Sequence, residues 1–87
     1  MFYMDLGDMW RWKMNVARVM GNTLDPKFVP DLIKAFNEND DLRVKCMIAW
    51  SLGRIGGFQA KKALKVFLEN REGQLRQEIL EALGQIL

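Results

Sequence analysis

Apolar side chains recur along this chain at spacings of three and four, the period of an amphipathic helix, with no sustained alternation of a strand. Between Leu42 and Ile55 the pattern is fullest. At 100° per residue, Val44, Ile48, Leu52 and Ile55 form a bulky stripe, while Leu42, Cys46, Ala49 and Gly53 form a mostly small one nearly opposite. Similar periodicity predicts five helices, at roughly 9–21, 27–38, 42–55, 58–69 and 74–86. Helix-terminus chemistry supports these limits. Asp25-Pro26 reads as an N-cap followed by proline, Asp40 or Asp41 can cap the third helix, Gly56-Gly57 breaks the chain, and Gly73 precedes the fifth helix.

The pattern also repeats. Met20-Gly21, Leu52-Gly53 and Leu83-Gly84 align at offsets of about 32 and 31 residues. Trp12 then falls on Val44 and Leu75, Val16 on Ile48 and Ile79. The intervening segments match as well: Val29 with Ala60, Ile33 with Leu64, Phe36 with Phe67 and Asn39 with Asn70. Tandem helical hairpins of this period are the signature of an α-solenoid. The expected fold is therefore all-α, a single repeat domain over residues 1–87. A glycine inside a helix costs about 1 kcal/mol of propensity. Its recurrence beside a small stripe predicts that a neighbouring backbone approaches closely there.

One ridge is buried by neither stripe. On the third helix it is Arg43, Met47, Trp50 and Arg54; on the first, Arg11, Asn15, Arg18 and Asn22; on the fifth, Gln74, Glu78, Glu81 and Gln85. Second helices of successive repeats line the concave surface of a solenoid, so these ridges should share one face, basic and aromatic toward the N-terminal end. Arg11, Asn15, Arg18, Asn22, Arg43, Met47, Trp50 and Arg54 are the candidate macromolecule-binding residues. Asn22 also suits a helix C-cap.

"VKCMIAWSLGRIGG" resembles the second-helix pattern of short HEAT-like repeats, the type named after phycobilisome lyases. "WRWKMNVARVMGNTLDPKFVPDLIKAF", followed by "AWSLGRIG", further resembles the C-terminal HEAT-like region of epoxyqueuosine reductases. That resemblance covers about residues 10–87 and implies a role toward tRNA. The reductases' catalytic part, with its cobalamin and cysteine-ligated iron–sulfur clusters, has no counterpart in the sequence.

Composition narrows the chemistry. The chain has 87 residues, one cysteine (Cys46), no histidine, and single copies of serine (Ser51), threonine (Thr23) and tyrosine (Tyr3). One cysteine excludes an intramolecular disulfide, and the missing histidine removes the commonest general base and metal ligand. No cofactor and no catalysis are expected. The net charge of +2 is too small to mark a nucleic-acid binder by itself. No apolar run approaches the ~20 residues of a membrane span, which leads to the expectation of a soluble, cytoplasmic protein.

Several residues admit more than one reading. Trp50 among Arg18, Arg43 and Arg54 can stack bases in a cationic groove, anchor a protein interface, or simply pack on the neighbouring helix. Trp10 and Trp12, aligned with Leu42 and Val44, are expected in the core. Lys61, Lys62 and Lys65 read as a solvated outer face, and Cys46 as a packed thiol. Glu78 and Glu81, paired on a surface ridge, lack an acid–base partner. The opening "MFYMDLGDM" is an apolar end where a solenoid needs a polar cap, which raises the expectation of a lid or a homodimer there. The function expected is a non-catalytic scaffold whose basic–aromatic concave ridge binds a protein partner. The alternative is a tRNA-binding module.

Overall fold

The computed structural model describes residues 9–69 and 71–86. Within them lie five α-helices and no strand: α1 (Met9–Asn22), α2 (Val29–Glu38), α3 (Leu42–Ile55), α4 (Gly57–Leu68) and α5 (Gly73–Gln85). Phe2, Tyr3, Met4 and Leu6, on which the expected lid or dimer depends, fall outside the described residues, as does Asn70.

Local chemistry sets the helix ends. The Asp25 carboxylate accepts from the Lys27 amide at 3.0 Å, but it caps a 3-10 turn at Pro26–Phe28 rather than the α-helix. Pro30 has no N–H to return to the Pro26 carbonyl, which instead accepts from Val29, so α-helical bonding starts one turn late. Asp41 caps α3 by accepting from the Arg43 amide at 2.9 Å. Gly56, at φ 71°, terminates α3 in a conformation that a side chain would strain.

Helices α1, α3 and α5 lie side by side in one layer, and α2 and α4 cover α3 and α5 as a second. The molecule is a slab of 42 × 28 × 17 Å. Its core comes from the bulky stripes: Val44, Ile48 and Leu52 of α3, Leu75 and Ile79 of α5, and Val29, Leu32, Phe36, Leu64 and Phe67 of the outer helices are buried. Phe36 and Phe67, equivalent in successive repeats, stack with ring centroids 3.8 Å apart and planes 8° from parallel. Lys45 runs over the Phe36 ring and donates to the Phe36 carbonyl at the end of α2. Burial first, then the nearby Arg71 charge, pull its pKa below the ordinary lysine value.

The repeating glycine has a packing role at two of its three positions. A Cβ on Gly21 would stand 2.8 Å from the Cα of Ser51, and one on Gly53 would stand 2.9 Å from the Cα of Ala82. Neither separation is sterically open, so α1–α3 and α3–α5 approach through backbone. Ser51 is wholly buried at the first crossing, its hydroxyl 2.7 Å from the Ala17 carbonyl and 2.9 Å from that of Met47. At Gly84 an added Cβ meets nothing within 4 Å, because no further helix of the described residues stacks on α5.

Three positions differ from expectation. Trp12 is 51% exposed rather than buried, and Trp10 packs against the core but is only half-buried, with arginine side chains over its ring. Trp12 lies on the bulky stripe of α1, which lacks the double cover that α2 and α4 give its counterpart on α3. Leu42, assigned to the small packed stripe, is exposed at the first turn of α3.

Candidate functional site

Stacking of α1, α3 and α5 leaves a hollow of about 280 Å³ across all three. Met14 enters from α1; Arg43, Cys46, Met47 and Trp50 come from α3; Gln74 and Glu78 close the α5 side. Of the eight residues singled out in the sequence, Arg43, Met47 and Trp50 therefore line this hollow directly. Arg54 lies on its border, its guanidinium 5.6 Å from the centre of the Trp50 ring. Arg11 joins through Trp10, whose ring it approaches at 5.0 Å. Arg18 and Asn15 are exposed on α1, with Arg18 one helical turn beyond Met14. Asn22 is the exposed last residue of α1, remote in sequence register from Arg43.

Arg43 is the most constrained of these side chains. Its guanidinium carbon sits 3.6 Å above the Trp10 ring, a cation–π contact between α1 and α3. The same group donates through Nε and Nη2 to Asp41 at 3.1 and 2.9 Å. This fork holds the Asp41 carboxyl below the usual carboxylate pKa. Asp41 thus both caps α3 and aims Arg43 at Trp10. The cost to the site is charge: Arg43 is already matched by a carboxylate, and Glu78 stands on the opposite wall. Among the described residues, Arg18 and Arg54 are exposed cations of this surface with no carboxylate against them.

Cys46 lies half-buried in the hollow. Burial, and secondarily the Glu78 carboxylate, raise its pKa above the ordinary thiol value, which keeps it protonated at neutral pH. That environment disfavours the thiolate needed for nucleophilic chemistry. Sequence reasoning missed Trp10, Met14 and Asp41 as parts of this surface. The pattern i, i+2 from Asp41 to Arg43 was readable only as a cap, and the contact with Trp10 depends on tertiary register. Lys62 and Lys65 are exposed on α4, on the far layer, and Lys61 is half-buried there.

Residues 8–84 match the HEAT repeats family. The bilin biosynthesis protein PecE of Nostoc sp. (strain PCC 7120) is 32% identical over 72 residues. These cover 83% of this chain but 28% of that protein, so the chain spans just over a quarter of its relative's length. No solved structure matches the chain. The chain belongs to the HEAT-repeat family. Among the described residues, no helix is long and apolar enough to cross a membrane.

Proposed function

We propose that this HEAT-repeat chain is a binding module without catalysis of its own, and that its concave hollow receives a protein partner. The observation that carries the reading is the composition of that hollow. Trp50 is half-exposed beside Met14 and Met47, ringed by Arg43, Arg54 and Glu78, with an aromatic anchor and mixed charge at the border. Tryptophan and arginine dominate protein interfaces, and methionine adapts to irregular apolar partners. Arg11 and Arg43 on Trp10 extend the surface toward the start of α1. Similarity to a bilin biosynthesis protein makes proteins that handle bilins the first partners to test.

A second reading is a surface for tRNA, supported by the resemblance to the C-terminal region of epoxyqueuosine reductases and by the exposure of Arg18 and Arg54. The neutralisation of Arg43 by Asp41 favours the protein reading over it. Salt separates the two. Binding through three phosphate contacts falls by about two log units per decade of salt, whereas an interface centred on Trp50 falls far less. The test is retention of a purified bilin-handling protein or of tRNA on the immobilised chain across salt, with Trp50→Ala and with Arg18→Ala. A salt-resistant protein complex lost with Trp50→Ala supports the first reading. A steeply salt-dependent tRNA complex lost with Arg18→Ala replaces it with the second.

A further inference from the structure

We infer that the α1–α2 end carries a second binding site, distinct from the concave hollow, shaped to take one amphipathic helix of a partner protein. An apolar groove of about 130 Å³ runs there, with Trp12, Val16 and Met20 on one wall and Asp31 and Ala35 on the other. Its floor is Val44 and Ile48.

The chain itself states what fits this shape, because the same space recurs one repeat later and is filled. Trp12, Val16 and Met20 correspond to Val44, Ile48 and Leu52. Those three are at most 1% exposed, whereas Trp12 is 51% exposed and Val16 and Met20 are only half-buried. The later set is covered by α2 together with α4, and the side chains α2 brings to that core are Val29, Leu32, Ile33 and Phe36. These are spaced i, i+3, i+4 and i+7, one face of a helix. No helix of the described residues occupies the corresponding place against α1 and α2. The occupant is therefore a helix with apolar side chains at those four spacings, bound by the helix-in-groove mode.

Charge adds a fifth specification. Where α2 meets α4, Asn37 and Lys62 border one groove. On the open side, Asp31 stands at the position of Lys62. A basic side chain at i+8 of the incoming helix, the place of Asn37, faces that carboxylate. Lys13 on the opposite wall is already held, donating to Asn39 Oδ1 at 2.7 Å. The groove thus takes an amphipathic helix that carries a cation at i+8, beside Asp31.

The probe is a labelled peptide copying residues 26–39 of this chain, with Asn37→Lys. A lactam between Lys34 and Glu38, which already pair at 3.9 Å on the exposed face, holds it helical. Fluorescence anisotropy should show 1:1 binding to the 87-residue chain, weakened about tenfold or more by Phe36→Ala in the peptide. Trp12→Glu and Ala35→Arg, one on each wall, should each weaken it comparably at unchanged helicity. Trp50→Ala should leave it unaltered, which separates this site from the concave one. Equal binding of a scrambled peptide overturns the inference. So does binding that appears only after deletion of residues 2–7, since the groove is then covered by this chain's own N-terminal segment.

Discussion

Arg43 of α3 lies 3.6 Å above the ring of Trp10 of α1, gripped from below by Asp41. The contact links a helix cap, an ion pair and an inter-repeat stack in one chain of residues. It also places the N-terminal border of the concave hollow under the control of a single carboxylate. Replacing Asp41 by Asn should free Arg43 and lower the midpoint of thermal unfolding. The charged form of Asp41 is the one the fold favours. Its contribution is therefore present above the unfolded carboxylate pKa of about 4 and is lost as pH falls through the lower folded value. A proton titration of the Arg43 amide by NMR, with its midpoint below that of an unpaired aspartate, checks this. A midpoint at the ordinary value contradicts it.

Gly53→Ala and Gly84→Ala should have opposite effects. Both glycines sit inside helices, so alanine brings about 1 kcal/mol of propensity at each. At Gly53 the new methyl meets the Ala82 backbone at 2.9 Å, and separating α3 from α5 costs about 1–3 kcal/mol beyond that. At Gly84 it meets nothing, and the change should stabilise. Urea denaturation of the two variants reads both signs.

The Phe36–Phe67 stack should be the most sensitive point of the core. Phe36 is fully buried, and Phe36→Ala costs about 3–5 kcal/mol. A domain of this size holds about 5–15 kcal/mol in total, so this variant should lose a large share of its stability and melt well below the parent chain. Ser51→Val should also destabilise, by about 1–3 kcal/mol, because the branched side chain meets Gly21 and loses the bond to Ala17. Circular dichroism melts measure both.

Cys46 should react slowly with a neutral alkylating agent at pH 7 and accelerate above the ordinary thiol pKa. Burial is the main cause and Glu78 the second, so Glu78→Gln should raise the rate modestly at fixed pH while leaving most of the protection intact. A rate equal to that of the unfolded chain at pH 7 would refute this description of the hollow.

How much of this was readable from the sequence differs by residue. The repeat and its glycines were legible because close helix approach tolerates few residue types, and Gly53 against Ala82 realises that constraint directly. The wheel also brought Arg43, Met47 and Trp50 to one hollow. Trp12 was not legible, since alignment with Val44 transfers a position in a repeat but not the helix that covers it. Trp10 was legible as a neighbour of the core, but its partner Arg43 was not, lying 33 positions later and beyond any local pattern. Ser51 gave no signal at all. A lone serine among apolar residues looks like a helix surface until the Ala17 carbonyl is found beside it.

The most direct test of the binding reading is site-resolved photo-crosslinking. A photoreactive phenylalanine analogue is installed at Trp50 on the concave side, or at Lys62 on the outer layer, and irradiated with candidate partners before and after nuclease. The account predicts a protein adduct from position 50 that survives nuclease and is absent from position 62. Adducts from position 62 alone, or adducts abolished by nuclease, would contradict it.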